Sequence, residues 1–376
     1  MTPKLAQFLA EHRPATPCLV LDVDRVERNY RALAAALPLA HIYYAVKANP
    51  ANPILRRLVL LGSRFDAASF TEVEQCLAAG AAPDAISYGN TIKKASEIQR
   101  AFAAGVTMFA FDALEELEKI AREAPGSRVY CRLLVQNDGA EWPLSRKFGT
   151  TAEHAMSLMV RARDLGLDPY GLSFHVGSQQ TSTAAFEAAI GQVAMLFTDL
   201  AHAGVQLRMV DIGGGFPTRY RDQVPEIGDF ARAIMHAMTE HFGNALPELL
   251  VEPGRYMVGD AGVICSEVVL VARKGDDDPV RWVYLDIGRF GGLAETEGEA
   301  VKYSITTERD GEETGPVVIA GPSCDSVDTL YEKSNYRLPL SLRGSDRVLL
   351  HATGAYVTTY ASQGFNGYAP LEEHYI

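Results

Sequence analysis

The stretch HIYYAVKANP, residues 41–50, is apolar and aromatic from Ile42 to Val46 and then places a lysine, Lys47, where a buried strand ends. Such a short continuous run reads as a strand covered on both faces, the kind that parallel sheets use. Similar runs recur along the chain: RFDAAS from residue 64, AISYG from 85, MFAFD from 108, VYCRLLV from 129, GLSFHV from 171, MVDIGGG from 209 and ELLVEPGR from 248. The segments between them, such as TEVEQCLAAG (71–80) and AAFEAAIGQVAMLFTDLAHAG (184–204), carry apolar residues at helical spacing and stop at glycine. Strand and helix alternating in this way build βαβ units, and eight units over ~200 to 250 residues are the content of a TIM barrel. The expected fold is α/β, with a (β/α)8 TIM barrel over residues 24–261.

After residue 261 the pattern changes. GVICSEVVLVARKG, RWVYLDIG, PVVIAGPS and DRVLLHATGAYV read as strands joined by turns with little helix between them. A second, mainly β domain is expected over 262–376. The early run TPCLVLDV (16–23) is expected to pair into it, so that residues 1–23 and 262–376 form one domain and the barrel is an insertion.

Bulk properties remove several classes of function. Lys and Arg number 35 against 47 Asp and Glu, a net charge of -12 over 376 residues, and no basic run is present to neutralise a nucleic-acid backbone. An acidic balance suits a solvated surface and favours the approach of cationic small molecules. The N-terminal MTPKLAQFLAEHRP lacks the apolar core of a signal peptide, and no run reads as the ~18 apolar residues of a membrane span, so a cytoplasmic protein without a membrane partner is expected. The five cysteines (Cys18, Cys76, Cys131, Cys265 and Cys324) form no CxxC pair, which argues against a disulfide framework or a zinc site, and no metal is expected.

In a parallel barrel, chemistry collects at the C-terminal ends of the strands. The polar residues there are Lys47, Asp66, Ser69, Arg132, His175, Ser178 and Glu252, together with Gly213, Gly214, Gly215, Gly254 and Arg255. Any one of them has an ordinary structural explanation. All of them at strand ends would be improbable in a purely structural barrel, because each buried polar group costs free energy unless paired.

The triple glycine of DIGGGFP lets successive backbone N–H groups converge on an anion, and Arg255 in EPGR can add a cationic fork. A dinucleotide fold would need G-x-G-x-x-G early in the chain, which is absent, so a phosphate on a smaller cofactor is the better reading. A strand-end lysine, a phosphate cradle and a carboxylate together suggest pyridoxal 5′-phosphate. Lys47 would form the Schiff base, Glu252 would bond the pyridine nitrogen and keep it protonated, and His175 could stack on the ring. A carboxylate at that nitrogen makes the ring a strong electron sink, which argues against a racemase, where an arginine would suit.

The motifs YYAVKAN, FDAAS, HVGSQ, DIGGGFP, EPGRY, GPSCDSVD and GAYVTTYASQGFNGY stand in this order over nearly the whole chain. In this the sequence resembles the fold-type III, alanine-racemase-like, PLP-dependent amino-acid decarboxylases, and within them the ornithine decarboxylases of the eukaryotic-like type also found in bacteria. The resemblance implies a homodimer with shared active sites and the conversion of L-ornithine to putrescine and carbon dioxide in polyamine biosynthesis. A dual lysine/ornithine decarboxylase, a diaminopimelate decarboxylase and a non-catalytic homologue like the antizyme inhibitors are the alternatives. By motif it assigns Ser178, Gly213 to Gly215, Arg255 and Tyr356 to the phosphate, and Asp66, Glu72 and Arg132 to support of the cofactor and its lysine. Cys324, a proton donor to the α-carbon, and Asp325, a partner for the distal ammonium of a diamino acid, would enter from the second subunit. Phe290, Glu299, Tyr356 and Phe365 would complete the substrate pocket. The loop GRFGGLAETEGEAVKY (288–303) departs from the familiar eukaryotic enzymes, which have tyrosine near Phe290 and aspartate near Glu299. Glu299 is left open between an anchor for the distal ammonium and a solvated acid.

Overall fold

The computed structural model describes residues 1–135, 139–142 and 147–376. They divide into two compact units, one made of Met1–Val26, Thr218–Val224 and Arg255–Ile376, the other of Glu27–Pro217 and Pro225–Gly254.

The second unit is the barrel. Its strands are Ala40–Ala45, Arg64–Ala67, Ile86–Tyr88, Met108–Phe111, Arg128–Arg132, Asp168–Ser173, Met209–Asp211 and Glu248–Val251, one overlapping each of the eight runs read from the sequence. Each pairs in parallel with the next, and the eighth closes on the first through Leu249 opposite Ala40 and Val251 opposite Ile42. Apolar side chains of the strands fill the interior. Tyr43, Met108, Ala110, Tyr130, Met209 and Leu250 form one buried cluster, so the barrel has a packed floor rather than a pore.

One helix corrects the sequence reading. Ala184–His202 is 19 residues long with mean hydropathy 1.3, long and apolar enough to cross a membrane. One face of it has partners within the unit: Phe186, Ile190, Val193 and Leu200 are buried, and the Phe186 ring packs on Phe216 and Phe230 at 5.4 and 5.8 Å, while Met195 is exposed. The hydropathy is that of a helix covering a barrel.

The β-rich unit is a nine-stranded sheet whose main path runs Ile305–Thr307, Arg347–His351, Gly262–Ala272, Arg281–Leu285, Thr314–Ala320 and Thr329–Tyr331. Cys18–Leu21 pairs antiparallel with Gly262–Ala272 and parallel with Glu372–Tyr375, so both ends of the chain build one sheet. Unit boundaries fall near Val26 and Gly254 rather than at 23/24 and 261/262. The reason is packing within the β-rich unit: Arg25 pairs with Asp260, Arg255 pairs with Glu295, and Thr218 donates its hydroxyl to the Arg255 carbonyl at 3.0 Å.

Candidate active site

Lys47 lies in a one-turn 3-10 helix, Val46–Ala48, that follows the first strand. The turn is held from both sides. Ala45 donates its N–H to the Pro253 carbonyl (3.1 Å), the Tyr44 hydroxyl donates to the Asn49 carbonyl (2.8 Å), and Asn49 Oδ1 accepts from Ala51 N–H (3.1 Å). The backbone that carries Lys47 is therefore fixed, and its neighbours Val46 and Ala48 are buried. Its Nζ is 3.7 Å from Asp66 Oδ2, and the lysine side chain keeps 43% of its exposure against 4% for Asp66.

Asp66 comes from the second strand, and its Oδ1 is buried without a hydrogen-bond partner. Burial, and then the Glu252 charge, push its carboxyl up to about 7 against the opposing pull of Lys47 and Arg132. Glu252 follows the eighth strand and is hydrogen-bonded to Asp211, the last residue of the seventh. Two carboxyl groups in such contact share a proton. Burial and then the Asp211 charge hold Glu252 well above the carboxylate range, and burial brings Asp211 to about 6.

Asp211 also shapes the glycine turn. Its Oδ1 accepts the Gly213 N–H at 2.8 Å, and the Gly213 carbonyl accepts the Glu252 N–H at 2.8 Å. Gly213 and Gly215 have φ of 67° and 103°. A Cβ would lie 2.4 Å from the Phe174 carbonyl oxygen at Gly213, 2.6 Å from that of Glu252 at Gly214, and 2.6 Å from that of Gly177 at Gly215. No other residue fits this turn. With Gly213 N–H taken by Asp211, the N–H groups of Gly214 and Gly215 have no acceptor among the described residues, which is what a phosphate cradle requires.

His175 follows the sixth strand and packs beside Gly214. Its Nδ1 accepts the Gly177 N–H at 3.0 Å, which leaves the proton of the neutral ring on Nε2. Burial, then Arg132 and Lys47, hold its pKa well below the usual value, so the ring is neutral. Arg132 ends the fifth strand with its guanidinium 5.4 Å from the Phe148 ring centre. Ser178 opens the short strand Ser178–Gln180, which pairs with Ala140–Trp142.

Ser69 and Glu72 act first on the backbone. The Ser69 hydroxyl caps the helix Phe70–Ala78 by accepting Glu72 N–H (3.2 Å), and Glu72 Oε2 accepts Ala68 N–H (2.6 Å), a reciprocal cap that fixes the loop after Asp66.

The other residues singled out from the sequence form a second group, in the β-rich unit. Arg255 is buried there, with both guanidinium nitrogens on Glu295 and Nη1 also 2.6 Å from the Tyr220 hydroxyl. Its guanidinium lies over the Tyr356 ring at 4.8 Å, and Tyr356 has a positive φ of 55°. Cys324 and Asp325 are exposed on the loop before the 3-10 turn Ser326–Asp328. Phe290 and Phe365 pack with ring centres 4.3 Å apart and planes tilted by 37°. Glu299 accepts the N–H groups of Glu332 and Lys333 at 2.8 and 2.7 Å and the Ser334 hydroxyl.

Asp211, Glu295 and Asp328 were not among the residues chosen from sequence. For Asp211 a signal existed: an acid inside the apolar run MVDI.

The raised carboxyls make a stability prediction. A carboxyl that binds its proton more tightly when folded contributes stability that is complete below its unfolded value and disappears as the pH rises through its folded value. For Asp66 that window runs from the ordinary 3.8 to about 7. The melting temperature of cofactor-stripped protein should therefore fall between about pH 4 and pH 7, by an amount corresponding to a few kcal/mol. Asp66→Asn should flatten that fall in thermal melts; an unchanged slope would show that Asp66 does not hold the proton.

A strand-end lysine beside a buried carboxyl group, with a glycine turn of free N–H groups at the same end of the barrel, suits a phosphate-bearing aldehyde cofactor. The chain belongs to the pyridoxal-dependent decarboxylases: the model of that family's pyridoxal-binding domain matches residues 23–259. It is 36% identical over 374 residues to the lysine/ornithine decarboxylase of Selenomonas ruminantium, covering 98% of this chain and 91% of that one. With the ornithine decarboxylase of Schizosaccharomyces pombe it shares 31% over 359 residues, 93% of this chain and 81% of the other. The crystal structure of a lysine/ornithine decarboxylase from Vibrio vulnificus complexed with cadaverine superposes with a TM-score of 0.88 at 32% identity, over 99% of this chain and 97% of that one. The protein is a PLP-dependent carboxy-lyase with pyridoxal 5′-phosphate as its cofactor.

Proposed function

We propose that this protein decarboxylates L-ornithine to putrescine and carbon dioxide, with L-lysine as its second substrate, and so serves polyamine biosynthesis in the cytoplasm. Asp325 carries the substrate assignment. It is an exposed carboxylate one residue after the exposed thiol of Cys324, and it suits a distal ammonium. Diaminopimelate would bring a second carboxylate to that place and be repelled. Glu299 is a carboxylate held by the segment 332–334: burial opposes its charge, but hydrogen bonds from Ser334, Lys333 and Glu332 prevail and keep its pKa below the usual range. The names of the relatives point to the same pair of substrates.

In the working site Lys47 would bind the cofactor, the Gly213–Gly215 turn and Ser178 would hold its phosphate, a role the motif also assigns to Tyr356, and His175 would support its ring. When bound, the cofactor supplies an electron-accepting ring for the pair left as carbon dioxide departs. Glu252 keeps a proton at the ring nitrogen, and Cys324 Sγ delivers a proton to the substrate α-carbon. Cys324 and Asp325 reach the barrel of the second copy in a homodimer, a reading supported by the exposure of Cys324, Asp325 and Val327 (53%) in the single chain. Mixing inactive Lys47→Ala and Cys324→Ala proteins should then restore about a quarter of the activity, through hybrid dimers with one intact site.

Steady-state decarboxylation of ornithine, lysine, arginine and diaminopimelate, run in parallel, tests the assignment. Ornithine should lead lysine by no more than about 200-fold in kcat/KM, since one methylene separates them by ~1 to 3 kcal/mol. A kcat/KM greater for diaminopimelate or arginine than for both would overturn it.

A further inference from the structure

We propose that Asp328 is a positioning residue that sets the Cys324–Asp325 loop and the Phe290 turn relative to one another. The proposal rests on the substrate-facing roles given above to Cys324 and Asp325. Asp328 closes the 3-10 turn that follows Asp325 and is only 3% exposed. Its two carboxylate oxygens go to two segments. Oδ1 accepts the N–H of Arg289 at 2.7 Å, next to Phe290, and Oδ2 accepts the N–H of Ser323 at 3.1 Å, next to Cys324.

The backbone reinforces the junction. Asp328 donates its N–H to the Asp325 carbonyl (3.1 Å) and accepts the Gly321 N–H at its own carbonyl (2.7 Å). Arg289 returns across it, donating to the Thr329 carbonyl at 2.9 Å. Outside the carboxylate, the same parts meet again: Phe290 packs against Phe365, and Cys324 N–H donates to Asn366 Oδ1 at 3.0 Å.

Two glycines reserve the space. A Cβ on Gly288 would lie 2.1 Å from Asp328 Oδ1, and one on Gly321 would lie 2.4 Å from both carboxylate oxygens. Gly288 has an extended φ of -148°, and Gly321 is not among the residues of positive φ, so backbone conformation does not call for glycine at either place. Room for the carboxylate does.

A carboxylate offers acceptors to both N–H groups, whereas an amide of the same size offers one oxygen and turns an N–H donor toward the other. Asp328→Asn therefore separates positioning from space filling. In the holoenzyme, hydrogen exchange of residues 286–292 or 320–327 should accelerate by about tenfold or more. The value of kcat/KM should fall on the order of tenfold or more, because small displacements of reacting groups are amplified in rate. The cofactor absorbance should stay that of the wild type.

Gly321→Ala, which keeps the carboxylate but takes its room, should behave alike and provides the test if Asp328→Asn does not fold. Wild-type exchange in both segments, or raised exchange with wild-type kcat/KM, would overturn the proposal. Cys324→Ala tells the two readings apart: full activity there removes the thiol's role, while the exchange measurement still reports whether Asp328 joins the two segments.

Discussion

Lys47→Ala is expected to be without turnover, with a loss on the order of 10⁴ or more, and to lose the visible absorbance of lysine-bound cofactor. The expectation rests on position. The Nζ is the amine beside the buried Asp66, on a turn tied down by Pro253, Asn49 and Tyr44. Lys47→Arg sharpens the test, since a guanidinium keeps the positive charge near Asp66 but stays protonated and cannot make the covalent link. If the charge were all that mattered, the arginine variant would keep activity. Activity within tenfold of wild type in either variant would remove Lys47 from the chemistry.

The second large effect is expected at Glu252. Glutamine there has the same shape and can still hydrogen-bond Asp211, but it has no negative charge to hold a proton on a ring nitrogen. Losses of ~10² to 10³ in kcat are expected, the scale on which removal of one preorganised electrostatic group is felt, with cofactor still bound. Asp211→Asn should cost less, since it disturbs the partner of Glu252 and the Gly213 turn without removing the charge itself. A glutamine enzyme as fast as wild type would mean that Glu252 contributes only a hydrogen bond.

The barrel was legible because every strand is short, apolar and bounded, and because a strand end in this architecture is also a site position. Lys47, the three glycines and Glu252 stand out there as residues that strands and helices do not need. The acids that work through other groups were less visible. Asp211 was hidden by the glycines that follow it, although an acid within an apolar strand has to find a partner. Glu295 and Asp328 sit in loops where acids are ordinary. Their importance lies in what folds against them: Arg255 in one case, and the N–H groups of Arg289 and Ser323 in the other. The hydropathy of Ala184–His202 misleads in the opposite direction, because a helix on a barrel and a helix in lipid bury similar residues for different reasons.

The first and eighth strands are neighbours where the barrel closes, with Leu250 opposite His41 and the Pro253 carbonyl receiving Ala45 N–H. Lys47 and Glu252, far apart along the chain, thus flank one seam. During synthesis the N-terminal part of a protein leaves the ribosome ahead of the rest. A nascent chain exposes Lys47 long before the glycine turn and Glu252 have left the ribosome. Until the last barrel strand docks, the lysine lacks the carboxyl group that follows that strand. A chain truncated ahead of that strand is therefore expected to lack the visible absorbance of lysine-bound cofactor.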